Sequence, residues 1–199
     1  MNYGDHSKPV IRIGVLADTH IPDRVGDLHP DIIPLFQEEK VDLIVHAGDI
    51  TISPVLEKLE TVAPVEAVQG NRDWWQLRNI STQKVLNIKE VKVLITHGHG
   101  HFFSYLWGKI PYLLVGYELS QYVQKFSQWK QEFDIVIFGH SHRAENRWVD
   151  GRLYFNPGSA YDPLPSHRGP SLGIIEIGVE KKIESRIVKL RELRWKSGK

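Results

Sequence analysis

Five short runs of apolar, mostly β-branched residues punctuate the first two thirds of the chain. They are VIRIGVL (10–16), VDLIVH (41–46), PVEAVQ (64–69), VKVLIT (91–96) and FDIVIF (133–138), each ending in glycine, alanine or a polar turn. Their apolar positions are continuous rather than alternating, as expected of strands covered on both faces. Between the first three lie PDIIPLFQEEK (30–40) and SPVLEKLETV (53–62), two predicted helices with a proline near the first turn and Ser53 as a candidate N-cap. Strand, helix, strand, helix, strand over the first 70 residues predicts right-handed βαβ units. After residue 144 the pattern changes to RLYFN, SLGIIEIG and KKIESRIVKL, strands with no helix between them. The expected architecture is α/β, with a β-rich C-terminal portion that completes a second sheet or extends the first. No repeat, low-complexity tract or linker divides the sequence, so a single domain over 1–199 is expected.

Composition narrows the chemistry. The 199 residues are 41% hydrophobic and 25% charged, an ordinary globular balance. There are no cysteines, so any metal must be held by nitrogen and oxygen, and a reducing cytoplasmic location fits. The N-terminal apolar run is short and interrupted by Arg12, too short for a signal or membrane segment. A net charge of +1 gives no global basic field, and no stable nucleic-acid complex is expected. The basic C-terminal stretch 181–199 alternates at Ile183, Ser185 and Ile187, as a half-buried strand with a solvated tail does.

The residues that follow the predicted strands are the informative ones. They are Asp18-Thr19-His20, Gly48-Asp49, Gly70-Asn71-Arg72-Asp73, Thr96-His97-Gly98-His99 and Gly139-His140-Ser141-His142. Each alone could be an ordinary turn. Five metal-competent clusters at five carboxyl ends are a different matter, because that edge of an α/β sheet is where ligands bind. Asp18, His20, Asp49, Asn71, His97, His140 and His142 make seven oxygen or nitrogen donors, too many for one four-coordinate zinc. They suit two divalent ions sharing a carboxylate, which can hold a bridging hydroxide and clamp an in-line displacement at phosphorus. Two carboxylates against two dications leave a charge of about +2, which favours an anionic ester as substrate.

In this order DTH, GD, GNRD, THGH and GHSH, followed by NPGS (156–159), resemble the calcineurin-like metallophosphoesterase superfamily, and within it the compact YfcE/MJ0936-type phosphodiesterases. The resemblance spans roughly residues 10–190 and implies a four-layer α/β/β/α sandwich of two mixed sheets flanked by helices, with a dinuclear centre. It implies that Asp18, His20 and His142 hold one metal, that Asn71, His97 and His140 hold the other, and that Asp49 bridges them. It also implies that NPGS closes one side of the site. The implied ions are Mn²⁺ foremost, with Ni²⁺, Co²⁺, Fe²⁺ or Zn²⁺ as alternatives, and the implied substrate is a small phosphoester. The rival from another class is a binding scaffold like the retromer subunit Vps29, a relative of this fold that has lost ligands. A metallo-β-lactamase signature fails, since His101 and Phe102 stand where an aspartate and a histidine are needed.

Two departures from the family pattern matter. Larger members carry a histidine after the asparagine that can protonate the leaving group, and here that place is Arg72. Arginine can grip a phosphate bidentately but cannot release a proton near neutral pH, so good leaving groups should be preferred. His99 is the candidate replacement proton donor, Asp73 a further candidate catalytic residue, and His101 a loop residue. The second departure is an aromatic-rich insertion at about 101–133, between THGH and GHSH. Residues 102–133 hold ten of the chain's twenty aromatics. Leu119, Tyr122, Val123 and Phe126 have helical spacing and predict an amphipathic helix packed on the body. The apolar stretch before it, from Phe102, admits a packed core, an active-site lid, a homo-oligomer contact or a membrane-surface patch. It is too short and proline-broken to span a bilayer.

Overall fold

The computed structural model describes residues 2–3, 8–98, 119–127, 132–161 and 169–192. The first half of the chain runs β1 (Asn2–Tyr3), β2 (Ile11–Leu16), α1 (Ile32–Glu38), β3 (Leu43–His46), α2 (Ser53–Glu60) and β4 (Val65–Ala67). Then come β5 (Gln83–Ile88), β6 (Val91–Thr96), α3 (Leu119–Ser127) and β7 (Ile135–Ile137). Last are β8 (Ala144–Val149), β9 (Arg152–Pro157), β10 (Ser171–Ile177) and β11 (Ile183–Lys189). Two mixed sheets result, one ordered β11-β10-β2-β3-β4 and the other β1-β5-β6-β7-β9-β8.

The continuous apolar runs are explained by burial on both faces. Ile11, Ile13 and Val15 of β2 and Leu43 and Val45 of β3 face Val93, Ile95, Ile135, Ile137 and Phe155 of the other sheet, forming a core between the sheets. Leu16 and Ile44, of opposite parity on the same strands, meet Ile32 and Phe36 of α1 and Val55 and Leu59 of α2. On the far side, Leu94, Val136 and Tyr154 meet Leu119 and Phe126 of α3. Helix, sheet, sheet, helix is therefore the order of layers, as the sequence motifs imply. The C-terminal strands do both things expected of them: β10 and β11 extend the first sheet, while β8 and β9 complete the second.

Local details differ in one place. Ser53 is the first residue of α2 rather than its cap; Ile52, in extended backbone, takes the cap position with no side-chain hydrogen bond. Pro54 explains the start, since a proline in the first turn removes an N–H that has no helical partner anyway.

Strands β2, β3 and β4 are mutually parallel, as are β6, β7 and β9. Their carboxyl ends collect the loops at 17–20, 47–51, 68–73, 97–98 and 138–142 along one edge of the sandwich. The helical part of the insertion is packed on the body. The Tyr122 ring stacks on Phe138 with centroids 4.8 Å apart, and Phe126 lies 6.5 Å from the Tyr154 ring. The expectations placed on 101–118 and 128–131, including a lid, an oligomer contact or a membrane patch, fall outside the described residues. Phe126 is 1% exposed, so Phe126→Ala should cost about 3 kcal/mol or more of stability. Urea denaturation would show this as a lower midpoint with an unchanged slope, whereas an unchanged midpoint would place the ring outside the packed core.

Candidate metal centre

Backbone hydrogen bonds between the loops set the site. Asp18 N–H donates to the Gly48 carbonyl at 2.9 Å, His20 N–H to that of Asp49 at 3.1 Å, and Gly139 N–H to that of His97 at 3.3 Å. His140 N–H donates to Asp18 Oδ2 at 3.0 Å, tying a loop of one sheet to a loop of the other. Five of the expected donors sit at positive φ: Asp18 at 54°, His20 at 51°, Asp49 at 55°, His140 at 69° and His142 at 56°. Such backbone costs on the order of 1–3 kcal/mol per residue and gathers where function holds it in place. Gly48 and Gly70 provide the room: a side chain at Gly48 would meet the His97 ring at 2.6 Å, and one at Gly70 would meet Asp49 Oδ1 at 2.2 Å.

The seven expected donors all converge. His20 Nε2 and His142 Nε2 are 3.1 Å apart, and His142 Nε2 is 3.4 Å from Asp18 Oδ1. On the other side, Asn71 Oδ1 lies 3.2 Å from His97 Nε2 and 3.0 Å from His140 Nδ1, while His97 Nε2 lies 3.4 Å from Asp49 Oδ1. Asp49 stands between the halves, with Oδ2 3.9 Å from His20 Nδ1. Donors about 2.1 Å from one divalent ion stand roughly 3.0–3.4 Å from one another, the edge of a tetrahedron or octahedron. The separations within each half, 3.0–3.4 Å, fit such an edge, while the 3.9 Å from Asp49 Oδ2 to His20 Nδ1 is longer. Asp18 Oδ1, moreover, is buried with no hydrogen-bond partner, although its other oxygen has one.

Orientation is fixed from behind. The His97 Nδ1 position lies 2.8 Å from the Ala47 carbonyl, which selects the tautomer that donates there and turns the Nε2 lone pair toward the cluster. Burial alone would lower the His97 pKa, but the carboxylates of Asp49 and Asp18 raise it to about 9. Burial likewise opposes ionisation of Asp49, yet His97 and the Arg72 N–H, which donates to Oδ1 at 2.9 Å, hold it well below the ordinary range. Asp18 is also lowered: burial works against its charge, and His142 and His97 outweigh it. Burial lowers His20.

The candidate catalytic residues fare differently. Arg72 lies at the rim, with its guanidinium 3.3 Å from Asp23 and 38% of its side chain exposed. Asp73 does not reach into the cluster: Oδ1 accepts Thr51 N–H and Oδ2 accepts Gly70 N–H, both at 2.7 Å. Its two oxygens thus fasten the Asn71 loop to the Asp49 loop. His99 lies outside the described residues. Three supports lie outside the expected donors and catalytic residues, two of them within NPGS. His46, at the last position of β3, is fully buried, held to a pKa of about 3 by that burial, and its Nε2 is 3.2 Å from Thr19 Oγ1. Asn156 Nδ2 donates to the Gly139 carbonyl and to Ser141 Oγ, both at 3.0 Å, and Ser159 Oγ donates to the Asp18 carbonyl at 2.9 Å. NPGS therefore buttresses two ligand loops. A histidine closing an otherwise apolar run was the available signal for His46.

A two-sheet sandwich with histidine and carboxylate donors gathered at its strand ends defines a hydrolase scaffold of the metallophosphoesterase class. Residues 11–179 match the calcineurin-like phosphoesterase superfamily domain, and the chain belongs to that family. A probable metallophosphoesterase of Methanothermobacter thermautotrophicus is 33% identical over 89% of this chain and 91% of its own length. Phosphodiesterase MJ0936 of Methanocaldococcus jannaschii is 28% identical over 89% of this chain and 99% of its own. Among solved structures, an archaeal phosphodiesterase superposes with a TM-score of 0.63 at 25% identity, over 89% of this chain and all of that one. Vps29 of Cryptosporidium parvum gives 0.66 at 17% identity, covering 93% of this chain and all of its own, a likeness of fold.

With metal chelated, two buried histidines set opposite pH slopes. His97 keeps its proton in the folded chain up to about 9, against an ordinary 6.5, so its contribution is full below 6.5 and lost as pH rises to 9. His46, held to about 3, refuses a proton that the unfolded chain accepts below 6.5, so stability also falls toward acid. Thermal denaturation in chelator should therefore show a maximum near pH 6.5, and His97→Gln should remove the alkaline decline. A midpoint flat from 6.5 to 9 would contradict the assignment.

Proposed function

We propose that the protein is a metal-dependent phosphodiesterase with a dinuclear centre, formed in one domain over 1–199 that carries the insertion at 101–133. The observation that carries the reading is the spacing of the donors together with the unpartnered Asp18 Oδ1, a buried acceptor that a cation would satisfy. Asp18, His20 and His142 would hold one ion, Asn71, His97 and His140 the second, and Asp49 would bridge, since its oxygens face different halves. Bound there, two divalent ions supply Lewis acidity and a nucleophile from water at neutral pH. Mn²⁺ is the proposed ion, with Ni²⁺, Co²⁺, Fe²⁺ and Zn²⁺ as alternatives; histidine-rich N/O sites take all of them.

The protein's own contribution is placement. Asp73 and the Arg72 N–H hold the Asn71 and Asp49 loops in register, and the Ala47 carbonyl aims His97. The Arg72 guanidinium, at the rim beside Asp23 and one residue from Asn71, would stabilise the charge of a bound phosphate without donating a proton. His99 is proposed as the proton source. Small phosphoesters are the proposed substrates, with no stable nucleic-acid complex and a cytoplasmic setting; among the described residues no helix is long and apolar enough to cross a membrane. The scaffold alternative draws on the Vps29 likeness, which concerns fold, and the seven convergent donors favour catalysis over it.

Hydrolysis of bis-p-nitrophenyl phosphate should require added Mn²⁺ and fall by about a hundredfold or more in Asp49→Asn and His97→Ala. No hydrolysis with any of the five metals would favour the scaffold. With Arg72 in place of a proton donor, aryl diesters should be cleaved faster than alkyl diesters of equal charge; equal rates would contradict this preference and leave His99 as a full replacement donor.

A further inference from the structure

Directly after the Asn71 and Arg72 positions, the loop exposes two adjacent tryptophans. Trp74 is 65% and Trp75 74% exposed, although indole is among the side chains that gain most from burial. They meet edge to face, with centroids 5.5 Å apart and planes at 87°, so ring faces remain open for a third ring. The segment that carries them is anchored on both sides. Asp73 is fixed through both oxygens, and Leu77 is buried, its N–H donating to the Asp73 carbonyl at 2.9 Å and its carbonyl accepting Gln69 Nε2 at 3.2 Å. Three residues of chain place the Trp74 Cα no more than about 11 Å from that of Asn71.

We propose that Trp74 and Trp75 form an aromatic platform at the rim of the metal centre that seats the planar ring of a phosphodiester substrate, a nucleobase or another aryl group. The proposal rests on the phosphodiesterase reading and adds a substrate class to it. Stacking on exposed aromatics is tolerant of ring identity and is worth about 1–3 kcal/mol per base, which is on the order of tenfold to a hundredfold in affinity. Because the loop is held by Asp73 and Leu77, little ordering is needed when a ring stacks.

Three esters with a common p-nitrophenolate leaving group test it: thymidine 5′-p-nitrophenyl, phenyl p-nitrophenyl and methyl p-nitrophenyl phosphate, cleaved with Mn²⁺. In-line attack holds the p-nitrophenolate opposite the nucleophile in all three, so the esters differ only in the retained substituent; those that retain a ring, thymidyl and phenyl, should exceed the one that retains methyl in kcat/KM, mainly through KM. That preference should drop on the order of tenfold in the Trp74→Ala/Trp75→Ala double variant and be recovered by the double phenylalanine variant. Thymidyl against phenyl separates a base seat from a general aryl seat. Calorimetric binding of thymidylyl-thymidine, which needs no turnover, should weaken about tenfold in the double alanine variant. If all three esters are cleaved with the same preference in wild type and variant, the platform is wrong and the hydrolase stands. If none is cleaved while binding still depends on the tryptophans, the platform stands and the hydrolase is wrong. Binding that is absent in the wild type would overturn the proposal, and a loss of self-association in the variant with preference unchanged would overturn it by assigning the pair to protein contact.

Discussion

A carboxylate oxygen sealed from water without a hydrogen bond is a severe cost to a fold, several kcal/mol after relaxation, unless a cation meets it. Asp18 Oδ1 comes close to that position: it has no hydrogen bond, and the nearest group facing it is His142 Nε2, 3.4 Å away, so in the absence of a cation imidazoles alone meet its charge. Around it stand a second buried carboxylate and imidazole nitrogens whose separations suit ligands of one ion better than partners of one another. Much of the surrounding backbone follows from keeping this cluster together. The left-handed conformations at five of the donors, the bare Cα positions at Gly48 and Gly70, and the Asp73 bridge between loops all hold polar groups where an unliganded protein would have no reason to collect them. In the chelated state the same need is met partly by His97, whose retained proton compensates the carboxylates.

The sandwich supplies the stiffness that such strain requires. Two sheets share one apolar interface, and each has its outer face closed by helices, so the parallel strands end along one edge with little freedom. Loops leaving both sheets can then be cross-tied, as the His140 N–H ties to Asp18 and Ser159 to the Asp18 carbonyl. The rim is built differently. There 38% of the Arg72 side chain is exposed and the tryptophans that follow it are open to solvent, so a cross-tied, largely buried centre opens onto a mouth that offers charge and ring faces.

Much of this was legible in the sequence because two periodicities coincide with chemistry. Continuous β-branched runs gave strands buried on both faces, and the polar residues immediately after them mapped onto the convergent edge. What escaped was of another kind. Asp73 looks like any acidic site residue until its two oxygens are seen to accept backbone N–H groups, a matter of three-dimensional hydrogen bonding rather than spacing. His46 was visible as a histidine closing an apolar run, but nothing in its spacing tied it to Thr19, and Ser53 was misplaced because a proline one position on moved the helix start without a side-chain cap. The bridging role proposed for Asp49 comes from resemblance to a family rather than from the donor count, which cannot divide seven candidate donors between ions.

The central claim is that the cluster exists to hold two ions. Equilibrium dialysis of the purified chain against Mn²⁺, followed by metal analysis, addresses it without reference to any substrate. Two ions bound per chain in the wild type, and fewer in Asp49→Asn with the fold intact by circular dichroism, is the result expected. A wild-type chain that binds one ion or none under the same conditions would contradict the account.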